Sequence, residues 1–190
     1  MRIIAGHAKG RALAKPKHKG VRPTTDRVRE SLFSILGPMH DLVVVDAFAG
    51  SGALGCEALS RGAHFVFFFD NARQSIALIK DNIGRIQSEE QTQVRACTFA
   101  RGLKSINKDV DLLFLDPPYH SDLVQRALDA LEHHPHVRAR ARIIIEQEID
   151  EPMPDFNTEH FHLEDQRIYG RTRLSFLRCI DHESMLSEEE

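Results

Sequence analysis

Apolar residues in this chain fall into short unbroken runs, separated by stretches in which they recur at helical spacing. Val43-Val44-Val45 and Phe65-Val66-Phe67-Phe68-Phe69 are runs of this kind, suited to parallel strands covered on both faces. Strands are predicted at residues 42–47, 65–70, 93–97, 110–115 and 142–146, with helices between them at 53–61, 73–87, 102–107 and 123–133. Regular alternation of strand and helix predicts a doubly wound α/β sheet. Before it, Val28, Ser31, Leu32, Ile35 and Leu36 share one face of a helix over 26–36, capped by Thr24 or Thr25 and stopped by Gly37-Pro38. Past Pro152 and Pro154 the rhythm changes. Residues 160–166 and 174–180 read as a closing antiparallel pair around Tyr169-Gly170-Arg171-Thr172. At the other end, Arg2-Ile3-Ile4 and Arg11-Ala12-Leu13 predict a hairpin turned by the segment Gly6 to Gly10.

Composition narrows the class. The 190 residues, 42% hydrophobic and 28% charged, suit one soluble domain with a full core. No run approaches the roughly 18 apolar residues of a membrane span, and the first residues lack a signal peptide's apolar stretch. Cys56, Cys97 and Cys179 are isolated, which predicts reduced thiols in a cytoplasmic protein, each serving as a small core residue. The net charge of -3 hides an asymmetry. Arg2, Lys9, Arg11, Lys15, Lys17, Lys19 and Arg22 give the first 22 residues +7 with no acid, leaving -10 on the rest. A basic arm on an acidic body predicts contact with a polyanion, driven by counterion release. The eleven histidines, among them His133-His134-Pro135-His136, show no metal-ligand spacing, so no metal is expected. His160 and His162 alternate on a strand and suggest no role.

Two segments carry chemistry. In Asp46-Ala47-Phe48-Ala49-Gly50-Ser51-Gly52-Ala53-Leu54-Gly55, three glycines fall between the first strand and its helix, where a nucleotide cofactor binds in an open α/β sheet. Asp70, 20 residues after Gly50, stands where a ribose-binding acid belongs. Nicotinamide-dependent oxidoreductases share these features. Asp46, however, suits an amino-bearing ligand such as the methionine end of S-adenosylmethionine. The second segment, Asp116-Pro117-Pro118-Tyr119, ends the apolar run 110–115. It assembles a carboxylate, a backbone carbonyl and an aromatic face, the groups needed to hold a heterocycle by its exocyclic amine. Prolines remove competing N–H donors and stiffen the turn, and Tyr119 can stack on a base. The two segments together point to methyl transfer onto a nucleobase nitrogen.

These residues resemble the bacterial small-subunit ribosomal RNA guanine-N2 methyltransferases, a branch of the class I S-adenosylmethionine-dependent enzymes. The likeness runs nearly end to end, through Met1-Arg2-Ile3-Ile4-Ala5-Gly6, Lys9-Gly10-Arg11, the specific stretch from Arg22 to Phe33, the glycine turn, Glu57 to Ala63, Asp116 to Tyr119 and Tyr169 to Thr172. It implies a Rossmann-like, seven-stranded methyltransferase sheet with helices on both faces and an N-terminal hairpin and helix extension. Residues 1–22 would be the basic arm, 23–183 the methyltransferase domain and 184–190 an acidic tail. It further implies that Asp46, Phe48, Ala49, Gly50 and Gly52 line S-adenosylmethionine, that Asp70 and Asn71 meet its ribose, and that Thr98 and Phe99 meet its adenine. Thr24 and Thr25 would lie by the methionyl end, and Asp116, Pro117, Pro118 and Tyr119 would hold the guanine. Arg2, Lys9, Arg11, Lys15, Lys17 and Arg22 would grip 16S rRNA in the small ribosomal subunit or its assembly intermediate, by a monomeric enzyme. Thr98 departs from the Asp or Asn that related enzymes often carry. Asp-Pro-Pro-Tyr also serves enzymes acting on adenine N6 and cytosine N4, so a DNA or other RNA amino-methyltransferase stays open, as does a non-catalytic RNA-binding assembly factor.

Overall fold

The computed structural model describes residues 1–16, 26–132 and 134–180. The first helix, Asp26–Leu36 (α1), has its predicted bounds; the predicted caps Thr24 and Thr25 and the acidic tail lie outside the described residues. Strand and helix then alternate through Val43–Ala47 (β1), Ala53–Ser60 (α2), Phe65–Asp70 (β2), Arg73–Ile86 (α3), Thr92–Ala96 (β3), Phe99–Leu103 (α4), Val110–Leu115 (β4), Leu123–Leu131 (α5) and Val137–Glu148 (β5). Phe161–Tyr169 (β6) and Thr172–Cys179 (β7) complete one seven-stranded sheet in the order β3-β2-β1-β4-β5-β7-β6. Strands β1 to β5 are parallel, β7 is antiparallel to β5, and β6 pairs with β7.

The apolar runs resolve into two alternating sets. Val44, Val66, Phe68, Leu112, Phe114, Ile144, Leu174 and Phe176 pack under α1, α2 and α3. Val43, Val45, Phe67, Phe69, Leu113, Leu115, Ile143 and Ile145 pack under α4 and α5. Period-two side-chain direction thus turns each uninterrupted strand into a two-sided core element. Phe67, Phe68 and Phe69 are each at most 1% exposed, and burial of each contributes roughly 1.5–3 kcal/mol. Among the described residues, no helix is long and apolar enough to cross a membrane.

Three local expectations needed correction. Helix α4 occupies Phe99–Leu103 rather than 102–107, because the carbonyl of extended Thr98 accepts the Arg101 and Gly102 N–H groups and starts the helix early. Strand β5 begins at Val137 rather than 142, with a register shift against Val110 and Leu112 that the arginine-rich stretch before Arg142 accommodates, Arg140 adopting φ 69°. The amino-terminal hairpin is a single antiparallel bridge, Arg2 to Ala12. The Ile3 and Leu13 N–H groups cross it to the Arg11 and Met1 carbonyls at 3.0 and 3.2 Å, and the donors that follow Ile3 reach α2. Ile4 and Ala5 N–H donate to the Glu57 carboxylate at 2.8 and 3.0 Å, and His7 N–H donates to the Ser60 carbonyl at 2.8 Å. Ile3, Ala8 and Leu13 meanwhile bury in the α1–α3 core. Residues 1–16 are therefore sewn to α2 and α3.

Candidate active site

Strand order places β1 between β2 and β4, so the chain reverses direction across the sheet at the β1–β4 junction. Ligands of open α/β sheets bind at such a switch point, beyond the carboxyl ends of the strands. Ala47 and Leu115 pair in register at the ends of β1 and β4, so the glycine turn and the prolyl turn leave the same sheet edge side by side.

The glycine turn is held from below. Phe48, Gly50 and Gly52 all have positive φ, at 59°, 55° and 72°. A Cβ at Gly50 would meet nothing nearer than the Phe48 carbonyl at 3.9 Å, so space there is open and the backbone conformation is what calls for glycine. Gly55 answers a different demand: a Cβ would stand 2.3 Å from the Phe68 ring, so its absence lets α2 settle on β2. Asp70 braces the turn, its two carboxylate oxygens accepting the Gly50 N–H at 2.9 Å and the Ala72 N–H at 2.8 Å. Asp46, 2% exposed, accepts the Gly55 N–H at 2.9 Å. Burial pushes its carboxyl up to about 7, aided by the charge of Asp70 and opposed by the Gly55 hydrogen bond.

On the facing wall, Asp116 and Tyr119 are partly buried, Pro117 is buried and Pro118 is exposed. Burial, then the charges of Glu146 and Asp46, hold the Asp116 carboxyl well above the usual carboxylate range. Tyr119 is pushed up to about 12 by burial and by Glu146 and Asp116, while a hydrogen bond with the Thr172 side chain works the other way. The turn is clamped at its far end. His120, at φ 55°, donates its backbone N–H to Glu151 at 2.9 Å, its ring lies 3.4 Å from Glu148, and Ser121 donates to the Pro118 carbonyl at 2.7 Å. Two stiff turns thus flank the switch-point crevice of this sheet edge, with the carboxylates of Asp46, Asp70 and Asp116 around it.

Not every expected residue faces that crevice in the same way. Phe48 and Phe99 stack on each other with ring centroids 5.9 Å apart, and Ala49 is buried, its N–H donating to the Phe69 carbonyl at 3.0 Å. Asn71 and Thr98 are exposed at the ends of β2 and β3. Arg2, Lys9, Arg11 and Lys15 are exposed on the amino-terminal segment; Arg11 also donates to the Arg85 carbonyl at 2.5 Å at the end of α3. Lys17, Arg22, Thr24 and Thr25 lie outside the described residues. Two residues that bear on the site escaped the sequence reading, Glu146 beside Asp116 and Asn82 behind the glycine turn. Glu146, 5% exposed, closes the apolar run Ile143-Ile144-Ile145, and an acid ending such a run beside the Asp116 strand is the signal that could have found it. Asn82, fully buried, donates to the Ser51 carbonyl at 2.8 Å and exchanges hydrogen bonds with the Ala14 backbone at 2.7 and 3.2 Å. Nothing in its mid-helix position announced that.

This sheet order, with a glycine turn after β1 and an acidic prolyl turn after β4, defines the class I methyltransferase fold. The solved structure of the Escherichia coli protein yhhF superposes with a TM-score of 0.85 at 28% identity, over 96% of this chain and 99% of that one. The sequence model of the family described as Conserved hypothetical protein 95 matches residues 1–178. Ribosomal RNA small subunit methyltransferase D of Haemophilus influenzae is 39% identical over 157 residues, 80% of this chain and 81% of its own length. Its Escherichia coli namesake is 35% identical over 155 residues, 81% and 78% of the two chains. The chain belongs to the Conserved hypothetical protein 95 family, that of the ribosomal RNA small subunit methyltransferase D proteins.

Proposed function

We propose that the protein transfers a methyl group from S-adenosylmethionine to the exocyclic N2 of a guanine in 16S rRNA, within the small ribosomal subunit or its assembly intermediate. The observation that carries this reading is the adjacency of the Asp46 turn and the Asp116 turn on strands β1 and β4. The names of the relatives supply the rRNA.

The residues fit the methyl donor. Asp46 is a buried carboxyl whose raised proton affinity a ligand ammonium would relieve. Gly50 leaves open space at the turn, and the braced Asp70 carboxylate keeps further lone pairs for ribose hydroxyls. When bound, the donor supplies an electrophilic methyl carbon on a sulfonium centre. The protein's part is to make a poor nucleophile attack. The lone pair of a base amine is delocalised into its ring. Accepting its two N–H bonds with the Asp116 carboxylate and the Pro117 carbonyl favours a pyramidal nitrogen with the lone pair aimed across the crevice. As N2 gains the methyl carbon it must lose a proton, and the basic Asp116 carboxylate is placed to take it.

A direct test is incubation with small-subunit ribosomal RNA particles and labelled methyl donor, followed by nucleoside analysis. Label in N2-methylguanosine is the expected result; label only in a methylated adenine or cytosine would overturn the base assignment.

Two further outcomes are expected. Below about pH 7 the protein alone keeps a proton on Asp46, whereas a bound ammonium favours the carboxylate, so binding releases that proton. Donor affinity should rise with pH up to about 7, and Asp46→Asn should remove that slope. Calorimetry in buffers of different ionisation enthalpy reads the released proton. The second outcome concerns the basic segment. Replacing exposed Lys9 and Lys15 with alanine should weaken RNA binding and reduce the slope of log K against log salt by about one to two. An unchanged slope would remove both lysines from the contact surface.

A further inference from the structure

Glu146 is a crevice acid with no task in the transfer step. Alternation on β5 sends Ile143 and Ile145 to the α4–α5 core and Ile144 to the α1–α3 core. Glu146, two residues past Ile144, therefore shares a face with Asp46, which bonds to Gly55 of α2. Leu115 pairs in register with Ile145, so the next residues, Asp116 and Glu146, stand abreast on neighbouring strands, about 4.8 Å apart in backbone spacing. Glu146 is also 5% exposed, and its charge bears on both Asp116 and Tyr119, the two side chains assigned to the base. Holding an amine takes one carboxylate and a carbonyl. A second buried carboxylate beside Asp116 raises the cost of ionising both.

The chemistry of the bases gives the second carboxylate a use. In guanine, the ring nitrogen N1 beside the amine carries a hydrogen. In adenine and cytosine, the ring nitrogen beside the amine, N1 and N3 respectively, carries a lone pair. An acceptor next to the amine-holding Asp116 is satisfied by the first and repelled by the other two. We propose that Glu146 is the residue that selects guanine, its carboxylate accepting the N1–H while Asp116 accepts from N2. This deepens, and rests on, the guanine-N2 reading. It makes the Asp-Pro-Pro-Tyr turn a general amine grip and places base identity on the neighbouring strand.

The test uses the intact protein and RNA in which the methylated guanosine, once mapped, is replaced by 2-aminopurine riboside. That base keeps the N2 amine but has a lone pair at N1. Wild-type protein should favour guanine in kcat/KM by about 100-fold, the scale set by a lost charged hydrogen bond and an unsatisfied acceptor. In Glu146→Gln, whose amide can donate to the N1 lone pair, the ratio should narrow by at least about 10-fold, with donor affinity and thermal midpoint preserved. A ratio unchanged in the folded variant, with both substrates slowed alike, would overturn the assignment. So would equal wild-type rates on the two bases, a measurement that needs no variant. Failure of the wild-type protein to methylate guanine at all would instead sink the underlying reading.

Discussion

Replacing Asp116 with alanine is expected to slow methyl transfer by about 10³-fold while leaving donor affinity nearly unchanged. The division follows from the sheet. Asp116 leaves β4, whereas the turn proposed to hold the donor leaves β1 and is braced by Asp70 on β2, so the two proposed functions rest on different strands. On the proposed function, removing the carboxylate would take away an acceptor for the amine and the base for its proton, both realised at the transition state. It also removes a negative charge that raises Tyr119, so the phenol should titrate lower in the variant. Single-turnover kinetics with saturating RNA, beside calorimetric titration of the donor, separates the two quantities. Parallel loss of rate and donor affinity would contradict the division.

Glu57→Ala is expected to cost about 3–5 kcal/mol of folding stability, seen as a lower urea midpoint. Glu57 and Arg29 are both fully buried. The Glu57 carboxylate accepts the Ile4 and Ala5 backbone N–H groups and Arg61 Nε at 2.8 Å, and lies 3.8 Å from Arg29 Nε. Arg29 donates to the Arg2 carbonyl at 2.5 Å and to Asp26 at 3.0 Å, while its Nε and Nη1 have no hydrogen-bond partner among the described residues. Truncation would leave the buried guanidinium leaning on exposed Asp26, beside two orphaned amides, and losing one member of a buried ion pair is strongly destabilising. The amino-terminal segment should then loosen first, visible as faster hydrogen exchange at Ile4 and Ala5. A loss below about 1 kcal/mol would mean that the segment's apolar plugs, and not this carboxylate, hold it in place.

The elements legible in the sequence were those with punctuation at both ends. Strand β4 is a six-residue run stopped by Asp116-Pro117, and α1 is an amphipathic stretch stopped by Gly37-Pro38, so their bounds emerged unchanged. The adjacency of the two chemical turns was legible too, because parallel winding constrains which strands can be neighbours. Helix α4 was misplaced because five residues are too few to show a period, and its start depends on the backbone of Thr98. The hairpin forms but stays short for a tertiary reason: Ile3 and Leu13 donate across it, while the Ile4, Ala5 and His7 donors go to Glu57 and Ser60. Glu146 was passed over as an ordinary strand end, since a single acid has no pattern until its neighbours across the sheet are known.

Asn82 makes one amide common to two distant parts of the chain. The same side chain that grips the Ala14 backbone also grips the Ser51 carbonyl inside the glycine turn. Force applied to the amino-terminal segment would therefore be carried through one side chain to the glycine turn. On the proposed function, engagement of RNA and firmness of the donor loop would be mechanically joined, and the joint is a carboxamide rather than a hinge.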